Sequence, residues 1–244
     1  MSTRAGGVSV VPFDTFNLGD HVGDDPIAVA SNRKILEAQI GVRPVFMRQV
    51  HGTNCVVIDS DTPDGLEADG VVTRAAGVAC TVMVADCLPV LFWNESGTVV
   101  GAAHAGWRGL VGDGKTNVLQ ATVHALRGLS QPAEPVHAWL GACIGFENFE
   151  VGSEVAVHFD AAYKRAIGAG KWLVDLAGAA RQKLAAMGIA TVGGNVGQPR
   201  ENAHWCTVTN ERDYFSHRRD SKLSGSTGRM AACIWIDLFG QVKD

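Results

Sequence analysis

The sequence predicts an α/β (α+β) fold, a single domain over residues 1–244 built of mixed β-sheets flanked by helices. Three observations lead there. The 244-residue chain is 46% hydrophobic and 19% charged, so it can bury a sizeable core. Runs of β-branched residues and runs with helical spacing are intermixed, and hairpin patterns stand beside helical connections. No G-x-G-x-x-G and no Walker A sequence is present, which removes the main reason to expect a doubly wound nucleotide-binding sheet. No shift in composition and no low-complexity linker divides the chain.

Taken in order, the segment from Gly6 to Asp25 is rich in Gly, Asn and Asp and reads as strand plus irregular loop. Asp24-Asp25-Pro26 opens a helix whose apolar spacing (Ile27, Ala30, Ile35, Leu36) runs to Gly41. "PVFMRQVHG" reads as a strand ending at Val50 or His51, with "NCVVID" as its hairpin partner. "DTPDGLEADG" is a polar loop, and "VVT" and "VACTVMVAD" are strand material. "GDGKTNVLQATVHALRGL" is a helix bounded by glycines, and "VHAWLGACIG" is a strand. "SEVAVHFDAAYKRAIG" and "VDLAGAARQKLAAMG" read as helices ending at Gly, and "MAACIWIDL" as a final strand.

Composition also sets limits. The net charge is −4 and no Lys/Arg run occurs, which argues against a nucleic-acid partner. No apolar run reaches about 18 residues, so no membrane span is expected. The start "MSTRAGGVSVVPFDTF" lacks the charged and apolar regions of a secretory signal, and the six cysteines form no C-x-x-C pair. The expectation is a cytoplasmic protein with reduced thiols and a small-molecule substrate. Nothing in the sequence demands an obligate protein partner.

The stretch "VADCLPVLFWNESGTVVGAAHAGWRG" places Cys87 and His104 in an otherwise apolar hairpin. A tight turn with Glu95 and Ser96 at its centre pairs Trp93 with Thr98 and Leu91 with Val100, and further out sets Cys87 across from His104. Directly opposed residues share a face, with Cβ atoms about 4.5–5.5 Å apart. Pro89 cannot donate to the ladder and leaves the register open. The pair suits two metal ligands or a thiolate–imidazolium couple, and a buried thiol beside a hydrogen-bonded histidine remains the structural alternative. His51, ahead of a Gly turn at a strand end, would complete a His₂Cys set, a donor set that zinc accepts. Spacings of 36 and 17 residues rule out a zinc finger and suit a site assembled from separate strands. Asp86 adjoins Cys87 and could orient His104 or move protons, although in a regular strand it points to the other face. His124, His137 and His158 lie within predicted elements and carry less weight than His204 and His217 in the polar tail.

The ordered set "MRQVHG", "ADG", "ADCLPVLF", "AAHAGWRG", "GACIGFENFEV" and "CT…YFSHRRD…GRMA", with "GGVSVVPFDTFNLGDHVGDDP" near the start, resembles the YfiH-type family over nearly the whole chain. That family is also labelled polyphenol oxidase, laccase-domain or purine nucleoside phosphorylase. The resemblance implies a zinc site on His51, Cys87 and His104, and a single α/β domain similar in fold to the cytotoxic-necrotizing-factor deamidases. The implied activities are phosphorolysis of adenosine, inosine, guanosine and methylthioadenosine, adenosine deamination, and an editing amidase acting on peptidoglycan precursors. "GACIG" departs from the family in carrying Ala142 where Pro is expected, which touches only the local turn.

Four functions follow for testing. The first is a zinc-dependent purine nucleoside phosphorylase with adenosine deaminase activity, in which Cys87, His104 and Asp86 serve catalysis and arginines hold phosphate. Arg48, Arg108, Arg218 and Arg219 are the candidates for that role. The second is a metal-free cysteine hydrolase with Cys87 as nucleophile and His104 as base. The third, a copper-dependent phenol oxidase, needs many imidazoles, yet the chain has eight histidines and no His-x-His; a soft Cys ligand would still take copper adventitiously. The fourth is a closed structural zinc site with Asp86 or Cys206 as fourth ligand.

Overall fold

The computed structural model describes residues 1–197 and 203–237. The chain begins with an irregular segment and no strand, contrary to expectation. Asn32 holds that segment from the first helix: its side chain accepts from Val8 N at 2.9 Å and donates to Asn17 O at 2.8 Å and Ser9 Oγ at 2.9 Å. A loop tied by side chains has no need of a ladder partner. Helix α1 (Pro26–Ile40) starts where the Asp25 carboxylate accepts from Ile27 N and ends at Gly41, whose φ of 73° suits a left-handed C-cap. Strands β1 (Arg43–Phe46), β2 (Cys55–Val57), β3 (Gly70–Thr73), β4 (Val78–Val84), β5 (Leu88–Asn94) and β6 (Val100–Ala105) follow. Helices α2 (Trp107–Val111) and α3 (Val118–Leu129) lead into β7 (Val136–Leu140), β8 (Glu150–Gly152), α4 (Ser153–Ala156), β9 (Lys164–Gly168) and β10 (Lys171–Val174). The chain closes with α5 (Leu176–Ala186), β11 (Thr191–Gly194), α6 (His217–Ser224) and β12 (Met230–Trp235).

The strands form three sheets: a six-stranded one ordered β11-β7-β5-β6-β3-β2, a three-stranded one ordered β1-β4-β12, and a small one ordered β8-β10-β9. The first two mix parallel pairs (β2 with β3, β7 with β11, β1 with β4) with antiparallel ones, as the mixed-sheet expectation requires. One face of the large sheet packs Val90, Phe92 and Ala103 against Leu119, Val123 and Leu126 of α3 and Leu184 of α5. Its other face packs Val71, Leu91 and Val100 against Val45, Val82 and Ala232 of the β1-β4-β12 sheet. Leu36 of α1 covers the far side of that sheet with Phe46, Met83 and Ala231. The layers therefore run helix, β1-β4-β12 sheet, six-stranded sheet, helices, with both sheets covered on both faces. Among the described residues no helix is long and apolar enough to cross a membrane.

Three expectations are corrected. β1 ends at Phe46, short of His51, and pairs in parallel with β4, while "NCVVID" supplies β2, which pairs in parallel with β3. The burial explains the exchange: Val45 and Phe46 are covered on both sides, whereas Cys55–Val57 is half exposed and fits a sheet edge. The helix expected over "SEVAVHFDAAYKRAIG" stops after one turn, and Lys164–Gly168 instead forms a hairpin with β10 through Ala169 and Gly170, both at positive φ. Val155, Ala156 and Phe159 meet the core, but most of the following residues are exposed, so nothing holds a longer helix. The β5–β6 register also differs. Pro89 lies across from His104 and Leu88 from Ala105, because the turn runs from Asn94 to Val99, with Val99 N donating to Asn94 Oδ1 at 2.9 Å. A two-residue offset preserves which face each side chain occupies, and it puts Cys87 just before the strand.

A candidate metal centre and the cavity it opens on

Cys87 sits where the chain crosses from the β1-β4-β12 sheet (β4) to the six-stranded one (β5). The crossing bends at Asp86, whose φ is +90°. That is an unusual conformation for a side-chain-bearing residue, and it is held by contacts on both sides. Asp86 Oδ1 accepts from Thr207 Oγ1 at 2.6 Å, Oδ2 accepts from Arg218 N at 2.6 Å, and Asp86 O accepts from Ile144 N at 2.9 Å. Asp86 thus caps the N-terminus of α6, and its carboxylate is engaged there and not at His104.

The group that orients His104 is Asp69, in the "ADG" stretch just before β3. Asp69 is fully buried. Its Oδ1 lies 2.7 Å from His104 Nδ1 and accepts from His51 N at 3.0 Å; its Oδ2 accepts from Val50 N at 3.1 Å and Gly52 N at 2.7 Å. A carboxylate acceptor requires Nδ1 to carry a proton, which makes Nε2 of His104 the nitrogen that faces Cys87 and that would coordinate a metal on losing its own proton. The same carboxylate fixes the turn that presents His51, whose φ of 62° lies in the left-handed region. One buried acid therefore positions two histidines from separate elements. Its position before a buried strand was the available signal, since a buried acid needs partners of this kind.

His51, Cys87 and His104 converge: one ligand atom from each lies within 4.8 Å of the others. Among the described residues this is the one group of three or more His, Cys, Asp or Glu side chains so placed. Zinc bonds nitrogen at about 2.0–2.1 Å and sulfur at about 2.3 Å, so these three side chains would close in on the ion on binding. Two imidazoles and a thiolate fit a soft or borderline divalent ion. Gly106, at the end of β6, is part of the fit. A Cβ there would come within 2.9 Å of both Cys87 Sγ and His51 Cδ2, so only glycine leaves room for the approach.

The electrostatics favour the charged pair. Burial alone would push the Cys87 thiol up, but the positive charge of His104 and hydrogen bonds from His104 and His51 outweigh it and bring it down to about 6. Burial alone would lower His104; the Cys87 thiolate and Asp69 reverse this and raise it to about 9. Asp69 is opposed by burial too, yet His104 and the backbone N–H donors hold it below the usual carboxylate range. A thiolate at neutral pH is the form that binds metal or attacks an electrophile.

The triad opens on a cavity of about 410 Å³, lined also by Gln49, Trp107, Phe149, Arg218 and Arg229. That size suits a small organic ligand. Of the arginines expected at substrate, only Arg218 reaches it. Arg48 is exposed and paired with Glu67, Arg108 is exposed with its guanidinium 4.5 Å above the Trp107 ring, and Arg219 pairs with Asp220 and donates to the carbonyls of Thr207, Val208 and Tyr214. Each arginine binds the acceptor or ring nearest to it in space, which spacing along the chain cannot reveal. Arg229, which the sequence reading passed over, lines the cavity in their place, and so do His21 and His217. Cys206 lies away from the triad, where its Sγ accepts from Gly145 N at 3.3 Å.

The model of the family described as "multi-copper polyphenol oxidoreductase laccase" matches residues 1–237. The chain belongs to this YfiH-type family. A purine nucleoside phosphorylase of Pseudomonas aeruginosa is 42% identical over 97% of this chain and 92% of its own length. The purine nucleoside phosphorylase YfiH of Escherichia coli is 42% identical over 96% and 92%. Among solved structures, a Neisseria meningitidis protein matches with a TM-score of 0.81 at 43% identity, over 96% of this chain and 92% of that one. YlmD of Geobacillus stearothermophilus matches at 0.81 with 30% identity, over 96% and 89%. The relatives' names point to an enzyme acting on small molecules, and the family's fold is the mixed α/β arrangement described above.

Proposed function

We propose that this protein is a purine nucleoside phosphorylase that holds one divalent metal ion, zinc by preference, on His51, Cys87 and His104. The observation carrying this reading is the convergence of the three ligand atoms on a cavity that also receives arginine. The relatives named purine nucleoside phosphorylase support the reaction class. An ion held there would supply Lewis-acid polarisation of a substrate atom. The chain's own groups do the rest. Asp69 holds a proton at His104 Nδ1, so Nε2 is the atom that would coordinate once its own proton is displaced. Phe149 and Trp107 give the cavity apolar walls against which a purine packs and from which water is excluded. Asp86 keeps Arg218 N in place, and the Arg218 side chain, donating from Nη1 to Glu150 O at 2.9 Å, faces the same cavity. Deamination of adenosine would use the same ion and the same apolar walls.

The test is release of free base from inosine or adenosine in phosphate buffer by protein of known metal content. The expected result is turnover that falls together with zinc in Cys87→Ala and His51→Ala. A fully zinc-loaded sample that releases no base and no ammonia would overturn the proposal. A second reading, a cysteine hydrolase, is favoured by the Cys87–His104 charge pair. It would serve a peptidoglycan-precursor amidase equally well. It requires activity without metal, so turnover by chelated protein together with covalent labelling of Cys87 by substrate would select it. Copper oxidase chemistry has one three-ligand group to work with among the described residues, and oxidation of phenols by copper-loaded protein alone would not assign it.

A further inference from the structure

We propose that Arg229 forms an oxyanion subsite in this cavity and grips the inorganic phosphate that attacks the nucleoside. The inference rests on the phosphorylase reading and names the residue that receives its second substrate.

Arg229 immediately precedes β12 and is built in from every side except one. Its backbone N donates to Asn17 Oδ1 at 2.9 Å, and its carbonyl accepts from Leu18 N at 3.1 Å. Its side-chain stem runs against Gly19, where a Cβ would lie 2.7 Å from Arg229 Cγ. Only glycine admits that approach. At the tip, Nη1 donates to Thr227 O at 2.9 Å and Gly228 O at 3.2 Å. No hydrogen bond from Nε or Nη2 to the described residues is present, and no carboxylate forms an ion pair with the guanidinium. The residue nevertheless lines the cavity that holds the triad. A guanidinium tethered through one nitrogen, on a residue that lines a cavity, has donors left to present the fork that phosphate oxygens accept.

The surroundings match an anion. Arg218 lines the same cavity and is likewise free of ion pairs among the described residues, with Nη1 held by main-chain carbonyls. His21 and His217 line the cavity beside them. Burial and the positive charge of Arg229 both lower the His21 pKa, which puts the two groups close together. The acidic groups in reach are Asp86 and Cys87. Asp86 is already engaged by Thr207 and the N-terminus of α6, and Cys87 by the histidines. In the reaction an oxygen of dihydrogen phosphate bonds to the ribose C1′. The C1′–N9 bond breaks, its electron pair leaves with the purine, and the proton lost by the attacking oxygen ends on the purine. Arg229 holds two of the three phosphate oxygens that do not attack.

Steady-state kinetics of Arg229→Gln and Arg229→Lys in metal-replete protein test this. The expected result is a KM for phosphate raised about 10- to 100-fold in Arg229→Gln and less in Arg229→Lys. The KM for inosine should move far less and zinc content should be retained. A phosphate KM within about threefold of wild type would overturn it. Wild-type protein provides a second measurement that needs no variant: phenylglyoxal labelling followed by peptide mass spectrometry. Phosphate should protect Arg229 but not the exposed Arg48, and equal labelling of Arg229 with and without phosphate would also overturn it. If wild type releases no base while phosphate still protects Arg229, the phosphorylase reading fails and the subsite stands. If wild type is an active phosphorylase and neither measurement responds at Arg229, the subsite alone fails.

Discussion

Asp69→Asn removes one oxygen's worth of charge and leaves shape almost unchanged, so it isolates what the buried carboxylate does. Each oxygen serves two donors: Oδ1 takes His51 N and His104 Nδ1, and Oδ2 takes Val50 N and Gly52 N. The Asn amide can replace only one oxygen's acceptor pair, whichever way it turns. If its NH₂ replaces Oδ2, two part-buried backbone donors of the His51 turn lose their acceptor. If it replaces Oδ1, His51 N loses its acceptor and His104 must shift its proton to Nε2, which removes the lone pair needed for coordination. An unsatisfied buried donor costs about 1–3 kcal/mol, so the pair costs ~3 kcal/mol after some relaxation. For a chain of this size each kcal/mol lowers the melting temperature by about 2–4 °C, giving a fall of roughly 6–12 °C. Metal affinity, measured by competition with a chromophoric chelator, should weaken about 10- to 100-fold. The two readouts together matter. An Asp69→Asn protein that binds metal within about threefold of wild type and melts within about 2 °C of it would refute the assignment of Asp69 as the group that positions both histidines.

Three further outcomes follow from the geometry. Gly106→Ala should lose metal with its secondary structure intact, because the new Cβ would press on Cys87 Sγ and His51 Cδ2 at 2.9 Å; metal content after gel filtration checks it. In metal-stripped protein, alkylation of Cys87 should rise as pH increases through about 6, well below the 9.0 of an unpaired thiol, and His104→Ala should move the midpoint back up. The sign is that of a depressed acid, so the stability it contributes is present above the unfolded-state value and is lost as pH falls through about 6. Arg48→Ala should leave turnover and KM within about twofold, since Arg48 is exposed and only pairs with Glu67; equal loss in Arg48→Ala and Arg229→Gln would contradict the placement of substrate.

By itself the sequence determined the mixed α/β class, most of the longer helices and strands, and the three converging residues. The Asp24-Asp25-Pro26 start marked α1 and bounding glycines marked α3 and α5, while a β-branched run marked β4 and an apolar hairpin pattern marked β5, because these are local preferences of chain and side chain. His51, Cys87 and His104 were legible because two imidazoles and a thiol at breaks in apolar strands are costly unless they do something. Tertiary structure alone decided the rest. Whether "NCVVID" pairs with β1 or β3 depends on which neighbour covers a buried face, and that neighbour lies elsewhere in the chain. The histidine's partner is Asp69 and not Asp86, although Asp86 is next to Cys87, because the bend at Asp86 turns its carboxylate onto α6. Arg229 reaches the cavity because Asn17 and Gly19 clamp it from the opposite end of the sequence. Hydrogen bonds and cavity walls are set by distance in space, and the order of residues along a chain does not encode that distance.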